Sequence, residues 1–369
     1  MTHTLRATIG IDKFPIIIGK NISQELLAFL DTYNPKNIFL IIDSYFKNEN
    51  GTVLIDLNLT NKFSHLFING GIESKNLQTY ELILIKLFEK NIARDGLIVS
   101  IGGGVIGDIS AFVASTFQRG IDFIHIPTTT TAMIDSSVGG KTGLNFLDQV
   151  NLIGTYFNPK AIFMDLRFLT SLKIRDYYAG LCEAIKMSLI SDKDMFYKFF
   201  EIVESVQTRD LKILEDIIYW SVITKLNHVS CDFKEQSIRL KLNYGHTFGQ
   251  SIETYYGLYQ DKLKHGEAVA LGIMVAANLS NLLFNNKDSK NLLNKTFELL
   301  DYYKLPNKFS KLKTNDFPDL EKLVKNISND KKRLSIGSRF VICESIGQAS
   351  IKLINDSNLI QNSFSCLFH

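Results

Sequence analysis

The residues best suited to bind a metal lie in the second half of the chain. Glu183 lies in the helical pattern Tyr178–Ser191, His246 lies in another helical pattern, and His265 precedes a strongly apolar one. One carboxylate and two imidazoles leave a coordination position open, as catalytic zinc sites require. A lone histidine on a helix is more often a packed residue than a ligand, so the sequence indicates a shared metal site without proving that the three side chains meet.

A polar stripe is predicted around His246. Arg239, Asn243, His246 and Gln250 are separated by four, three and four residues. This spacing places all four side chains on one face if the segment is helical. The helical pattern extends over Leu242–Tyr256, so we expect one helix to present these groups together.

A glycine-rich segment at 102–108 follows the apolar run Gly96–Ile101 and precedes the helical pattern Ile109–Thr116. Glycines in a strand-to-helix turn let backbone N–H groups approach a phosphate at the positive end of the helix, although such glycines are often purely structural. Asp43 ends the earlier strand pattern Asn37–Ile42, whereas the acidic residue of a Rossmann fingerprint follows the glycines. The segment indicates dinucleotide binding, with Asp43 either a ribose contact or a helix N-cap.

A threonine cluster follows the strand pattern Phe123–Ile126. The hydroxyls of Thr128, Thr129 and Thr130 could contact the nicotinamide half of a dinucleotide. Threonines at the end of a strand also commonly serve the turn itself. Both interpretations remain open on local sequence.

The composition is that of an ordinary globular protein, with 45% hydrophobic and 21% charged residues. A net charge of +3 without a long basic block gives no support for nucleic-acid binding. The apolar stretch Ala268–Phe284 contains Asn278, Ser280 and Asn281, so we interpret it as a buried helix and expect no membrane role. The first twenty residues lack the apolar region of a signal peptide, and the four cysteines lack metal-binding spacing, which favours a reducing cytoplasm.

The order of the patterns predicts two domains. Apolar strand patterns alternate with helical ones over residues 1–174, which predicts an α/β nucleotide-binding domain with a parallel sheet. Helical patterns dominate 175–369, where we expect an α-helical domain that binds metal and substrate. A short hairpin is predicted near the end, with Arg339–Cys343 and Ala349–Leu353 on either side of Gly347.

A series of motifs in this order resembles the 3-dehydroquinate synthases, within the sugar phosphate cyclases. The resemblance extends from about Asp43 to Gly347, and so many ordered motifs are far more specific than one glycine turn. The matching segments are 102–108, 115–120, 126–129, 134–143, 151–154, 180–186, 242–249 and 265–270.

The resemblance implies a role for individual residues. The implied metal ligands are Glu183, His246 and His265. The positions that match NAD contacts are Asp43, Glu73, Lys75, Gly104, Val105, Asp108, Thr128, Thr129, Phe168 and Ser171. The positions that match catalytic groups are Asp135, Lys141, Lys186, Asn243 and Gln250. The positions that match substrate contacts are Arg119, Asn151, Lys225, Arg239 and Lys332.

The implied reaction converts the seven-carbon acid phosphate DAHP to 3-dehydroquinate and phosphate, a step of the shikimate pathway to aromatic amino acids. It uses zinc, with cobalt as an alternative metal, and NAD that is not consumed overall. Lys141, Asn151, Asn243 and Lys332 would hold the phosphate of the substrate. Lys225 and Arg239 would pair with its carboxylate, a role for which a guanidinium is well shaped. Arg119 matches an arginine that reaches a neighbouring subunit's site, which implies a homodimer.

Two departures from the family pattern leave alternatives open. Gln250 stands where most of these enzymes have a histidine, and glutamine cannot relay protons near neutral pH. Val150 replaces a lysine that usually precedes Asn151. The alternatives are a cyclase for another sugar phosphate, a zinc-dependent polyol dehydrogenase, and a metal-binding paralogue without activity. The family form of Val138–Gly143, together with Arg239 and Asn243, favours DAHP.

Overall fold

The computed structural model describes residues 2–48, 58–147, 149–257, 262–312, 317–331 and 339–368. They form two compact units, the first made of Met1–Tyr177 with Arg209–Lys234 and the second of Tyr178–Thr208 with Glu235–His369. The first break lies three residues beyond the boundary expected at 174/175. The segment 209–234 groups with the first unit, whereas the sequence analysis placed it in the second domain.

The first unit contains a seven-stranded sheet in the order β1-β2-β9-β6-β5-β3-β4. Strands β1 and β2 pair antiparallel, and the other neighbours are parallel. Every residue of β5 is buried, as expected of a parallel strand covered on both faces. A separate hairpin is formed by β7 and β8. The strands are β1 (Thr2–Ile9), β2 (Asp12–Gly19), β3 (Ile38–Asp43), β4 (Ser64–Ile68), β5 (Leu97–Gly102), β6 (Asp122–Pro127), β7 (Lys141–Phe146), β8 (Gln149–Tyr156) and β9 (Ala161–Asp165).

Helices join and cover these strands. A core cluster that includes Ile83, Ile109 and Phe123 packs the helices Leu77–Glu89 and Gly104–Thr116 against the sheet. The helices are α1 (Ser23–Leu30), α2 (Leu59–Lys62), α3 (Leu77–Glu89), α4 (Gly104–Thr116), α5 (Phe168–Ser171) and α9 (Leu211–Cys231), with a π-helical turn at Ala132–Ser136. Helix α9 contacts β1 and the π-helical turn, which explains its place in this unit although the three helices before it end or lie in the second.

The second unit is mainly helical, as predicted. Its central helix is α11, in which every residue from Ala268 to Ser280 is buried. Although α11 is long and apolar enough to cross a membrane, 72% of its most apolar window is buried in the structure, as in a core helix. The elements are α6 (Ile174–Ser191, shared with the first unit), α7 (Lys193–Glu201), α8 (Val203–Gln207), α10 (His246–Tyr256), α11 (His265–Phe284), α12 (Lys287–Tyr302), α13 (Leu320–Lys331), α14 (Ser357–Ser363) and the hairpin β10 (Arg339–Ser345) with β11 (Gln348–Leu353).

One predicted helix is shorter than expected. Helix α10 begins at His246, and Arg239 and Asn243 lie in a separate 3-10 segment, Ile238–Asn243. Gly245 separates the two with φ at +79°, a conformation that an α-helix does not contain. The prediction that Arg239, Asn243, His246 and Gln250 share one helical face was therefore wrong.

Candidate metal and nucleotide sites

Glu183, His246 and His265 meet in the second unit. One ligand atom from each residue lies within 4.8 Å of the other two. The Nε2 atoms of His246 and His265 lie 3.8 and 3.9 Å from Oε1 of Glu183. A carboxylate oxygen and two imidazole nitrogens that converge in this way form the donor set of a catalytic zinc site, which leaves one position open for substrate. The sequence indicated these three residues, and the structure brings them together.

Close helix packing produces this arrangement. A Cβ added at Gly266 would lie 1.9 Å from the carbonyl oxygen of Ala179, so α11 approaches α6 as closely as backbones allow. Glu183 lies one helical turn beyond Ala179, and His265 immediately precedes Gly266. The glycine therefore places the first turn of α11, and with it His265, beside Glu183.

Lys186 pairs with the candidate metal-binding carboxylate. Its Nζ atom lies 2.5 Å from Oε2 of Glu183, and the two side chains are 2% and 1% exposed. The ion pair leaves Oε1 facing the two imidazoles. Lys186, for which the family resemblance implies a catalytic role, thus also balances the charge of Glu183.

The electrostatics around His265 favour a cation. Burial would lower the pKa of His265, but the carboxylates of Glu253 and Glu183 raise it to about 9. The pKa of Glu253 is lowered, because His265 and His246 outweigh the effect of its burial. Glu253 was not identified from the sequence. The signal was available in retrospect, since Glu253 follows His246 by seven residues, two turns along the same helix.

The predicted nucleotide residues lie at the carboxyl ends of the parallel strands. Asp43 ends β3, where burial raises the pKa of its carboxyl group and the N–H groups of Tyr45 and Gly70 oppose that effect. The N–H of Tyr45 donates to Asp43 over 3.0 Å, which is the capping role that the sequence left open. A Cβ at Gly70 would lie 2.0 Å from Oδ2 of Asp43, so backbone approaches this carboxylate closely.

The glycine turn is located as predicted. Gly103 is the N-cap of α4, and a Cβ at Gly104 would come within 3.0 Å of the Ser136 hydroxyl. The missing side chain at residue 104 therefore lets Ser136 lie close to the first turn of α4. The N–H groups of such a first turn favour an anion, as a phosphate site requires. Thr129 accepts the N–H of Ala132 over 3.2 Å, so its hydroxyl also serves the local turn.

Three predicted residues form one polar cluster in the first unit. Lys75 Nζ lies 2.5 Å from Oδ2 of Asp108 and also donates to the side-chain oxygen of Asn151. Lys75 is only 5% exposed. The cluster joins two candidate NAD contacts to one candidate phosphate contact. Glu73, a further candidate, accepts a hydrogen bond of 2.8 Å from Asn69.

Lys225 and Asp135 also pair within the first unit. The Nζ atom of Lys225 lies 2.8 Å from Oδ1 of Asp135 and 2.5 Å from its main-chain oxygen. Lys225 is 6% exposed. The lysine expected to pair with a substrate carboxylate is thus held in place by a carboxylate of the chain itself.

The segment around Phe168 and Ser171 is held by Arg209, a residue that the sequence analysis did not identify. Arg209 donates to the main-chain oxygens of Leu169, Thr170 and Leu172 over 2.7, 2.7 and 2.6 Å. This fork satisfies carbonyls at the end of α5 that have no partner within so short a helix. Nothing in the local sequence distinguishes Arg209 from a surface arginine.

The remaining candidates have varied surroundings. Arg239 is buried, and Asn243 donates to Glu235 over 3.0 Å. Gln250 and Lys141 are exposed. Arg119 lies in a tight turn with φ at +71°. Lys332 lies outside the described residues.

Known 3-dehydroquinate synthases match this chain over most of its length. Residues 65–179 match the family model for the 3-dehydroquinate synthase N-terminal domain, and residues 180–333 match the model for its C-terminal domain. The 3-dehydroquinate synthase of Helicobacter pylori strain 26695 is 40% identical over 287 residues, 76% of this chain and 77% of its own length. That of Shewanella pealeana is 34% identical over 375 residues, covering 99% of this chain and all of its own.

The fold is shared with a solved sugar phosphate cyclase. The 2-epi-5-epi-valiolone synthase of Streptomyces hygroscopicus, solved with NAD+ and Zn2+ bound, superimposes with a TM-score of 0.85 over 98% of both chains at 20% identity. That similarity concerns the fold. The two family models match consecutive segments that together cover residues 65–333, and named relatives match over most of their length, so this chain belongs to the 3-dehydroquinate synthase family.

Proposed function

We propose that the chain eliminates phosphate from DAHP and closes the carbon skeleton to give 3-dehydroquinate, with Glu183, His246 and His265 as its metal-binding residues. Membership of the family supports the reaction. The observation that carries the assignment of the site is the meeting of these three side chains within 4.8 Å. An active enzyme of this family would need these three metal-binding side chains, and this chain has all of them.

The donor set fits zinc. Two imidazoles and one carboxylate give a catalytic ligand set. Zinc binds imidazole in its neutral form, so His265, whose pKa is raised to about 9, would release its proton when the metal binds. The carboxylates of Glu183 and Glu253 provide the negative potential that favours a cation here. Zinc held by Glu183, His246 and His265 would supply a Lewis acid, and bound NAD would supply a reversible hydride acceptor that is not consumed overall. Co2+ could occupy the same ligands.

The first unit supplies the candidate dinucleotide site. Asp43 would accept hydrogen bonds from ribose hydroxyls, and the N-terminus of α4 at Gly104 and Val105 would hold a phosphate. Asp108 and Lys75 fix each other at this end of the sheet, so they would hold their positions when a nucleotide binds. Glu73, Thr128, Thr129, Phe168 and Ser171 complete the proposed NAD contacts.

Charged side chains would recognise the two ends of the substrate. Lys225 and Arg239 would pair with the carboxylate, and Lys141, Asn151, Asn243 and Lys332 would hold the phosphate. In the overall reaction the phosphate leaves with the electron pair of its carbon–oxygen bond, a proton leaves the adjacent carbon, and one carbon–carbon bond forms. Gln250 can orient a group by hydrogen bonding but cannot exchange a proton near neutral pH. The proton transfers would therefore fall to other groups, among them the departing phosphate.

We further propose that the enzyme acts in the cytoplasm as a homodimer. The four cysteines are free, in agreement with a reducing compartment. In the dimer, Arg119 would contribute to the site of the neighbouring subunit. Sedimentation of the purified protein measures the assembly directly, and a monomer at assay concentration would exclude this role for Arg119.

A comparison of substrates tests the proposed function. The purified enzyme with Zn2+ and NAD+ is supplied with DAHP or with glucose 6-phosphate, which lacks the carboxylate. We expect phosphate and a carbocyclic product from DAHP alone. Turnover of glucose 6-phosphate without turnover of DAHP would assign the chain to another branch of the cyclases. Net NADH formation would favour the polyol dehydrogenase alternative.

A further inference from the structure

We propose that Glu253 is a positioning residue for the metal site, acting through His265. The inference rests on the proposed function, since it assumes that Glu183, His246 and His265 bind the metal. Glu253 lies on α10, and its Oε2 atom is 3.3 Å from Nδ1 of His265 at the start of α11. The side chain of Glu253 is 12% exposed, and that of His265 is 45% exposed.

The contact uses the ring nitrogen that faces away from the site. Nε2 of His265 points to Glu183 at 3.9 Å, and Nδ1 points to Glu253. A carboxylate at Nδ1 holds the proton of a neutral imidazole on that nitrogen and leaves the lone pair of Nε2 available to a cation. Glu253 therefore sets both the tautomer and the orientation of the ring.

The two histidines differ in how they are held. Nδ1 of His246 is 3.4 Å from the main-chain oxygen of Tyr244, a neutral acceptor two residues away on its own segment. His265 has a charged acceptor contributed by a different helix, and its side chain is 45% exposed against 15% for His246. The more exposed ring has fewer neighbours to fix it by packing, so it depends more on its hydrogen bond.

Glu253 also links the two histidine-bearing helices. It lies seven residues after His246 on α10 and contacts the first residue of α11. Any shift of α11 relative to α10 stretches this contact. Glu253 thus fixes the distance between the imidazoles, whose ring centres are 5.4 Å apart.

Zinc affinity of the full-length protein tests the inference without reference to turnover. After removal of metal by a chelator, Zn2+ binding is measured by competition with a chromophoric chelator, and Co2+ binding by its visible absorption spectrum. We expect Glu253→Gln to weaken Zn2+ binding about tenfold and Glu253→Ala up to about a hundredfold, the range measured for groups that orient metal ligands. Glu253→Asp, which keeps the charge, should recover part of the loss. Glu298→Gln changes a partly exposed glutamate of the same unit that pairs with Lys295, and it should bind Zn2+ as the parent protein does.

A double-mutant cycle separates this role from a general effect on folding. If Glu253 acts through His265, Glu253→Gln has no further effect on Zn2+ affinity in a His265→Ala background. Equal losses in both backgrounds would overturn the inference. Circular dichroism of each metal-free variant checks the fold, and the Co2+ spectrum of Glu253→Gln should show altered ligand geometry even if its fold is intact.

The failure of the inference can be distinguished from the failure of the metal site. If His265→Ala binds Zn2+ as tightly as the parent protein, the proposed ligand set is wrong. If His265→Ala binds Zn2+ much more weakly than the parent protein while Glu253→Gln and Glu253→Ala stay within twofold of it, the ligand set stands and the role of Glu253 is disproved.

Discussion

Lys186 and Glu183 form an ion pair of 2.5 Å in which both side chains are almost completely buried. Removal of one partner from such a pair leaves an uncompensated charge and costs about 3–5 kcal/mol. We therefore expect Lys186→Met to lower the free energy of unfolding of the metal-free protein by about that amount in urea denaturation. The double variant Lys186→Met, Glu183→Gln removes both charges and should be more stable than Lys186→Met alone. Equal stability of the two variants would show that the pair is not coupled.

The approach of α11 to α6 depends on the absence of a side chain at residue 266. Gly266→Ala places a methyl group 1.9 Å from the carbonyl oxygen of Ala179, so the helices must separate. We expect a loss of stability of about 1–3 kcal/mol from overpacking and at least tenfold weaker Zn2+ binding, since His265 moves with the helix. Unfolding and chelator competition measure the two effects. Unchanged zinc affinity would mean that the helix contact does not set the ligand geometry.

Arg209 should influence NAD+ binding without contacting the nucleotide. Its hydrogen bonds to three main-chain oxygens hold the segment that contains Phe168 and Ser171. Arg209→Lys loses the fork geometry, and we expect NAD+ affinity, measured by calorimetry, to fall about three- to tenfold. Arg94→Lys, at an exposed position, is the control. If NAD+ binds equally well to both variants, these carbonyl contacts do not shape the nucleotide site.

His125 should make the free energy of unfolding depend measurably on pH in the acid range. Burial lowers the pKa of His125 to about 3, and its Nδ1 atom lies 2.8 Å from the Ser100 hydroxyl. The unfolded chain binds a proton near pH 6.5, whereas the folded chain does so near pH 3. The contribution of His125 to the free energy of unfolding is therefore complete above pH 6.5. It is lost as the pH falls toward 3, by about 1.4 kcal/mol per pH unit.

The comparison with His125→Gln isolates this effect from that of the carboxylates. The difference in free energy of unfolding between the parent and the variant should be largest above pH 6.5 and should narrow steadily below it. A difference that is independent of pH would show that His125 is not held neutral in the folded state.

Gln250 is the main departure from the family pattern near the metal site. It lies one turn after His246 and is exposed, so a larger ring has room there. We expect Gln250→His to raise kcat or leave it unchanged, because it restores the group that most family members have. The pH profile of kcat should then gain a transition near the pKa of a histidine. A large loss of kcat would show that the glutamine has its own role in this enzyme.

The sequence predicted the elements whose patterns are local. Strands β3, β5 and β6, the glycine turn before α4 and the terminal hairpin about Gly347 all lie where their patterns indicated. The helix predicted at Leu242–Tyr256 was too long, because the position of Gly245 in a tight turn depends on its contact with α11 and not on periodicity. The place of α9 in the first unit likewise depends on contacts distant in sequence.

In the candidate site, too, the residues with a local sequence signal were predicted and those that depend on distant contacts were not. Glu183, His246 and His265 were identified by residue type and family motif, and the geometry confirms that they meet. Glu253 and Arg209 were missed, because each acts on a partner from another segment and carries no local signature. The pairing of Lys225 with Asp135 could not be predicted either, since the two residues are ninety positions apart.

The central claim is that the enzyme uses NAD+ without consuming it. The most direct test is to supply DAHP in large excess over NAD+ and to follow phosphate, 3-dehydroquinate and NADH absorbance in one reaction containing Zn2+. We predict many molecules of phosphate and 3-dehydroquinate for each NAD+ present, in equal amounts and without accumulation of NADH. A reaction that stops after one turnover per NAD+, with an equivalent of NADH formed, would contradict the proposed function.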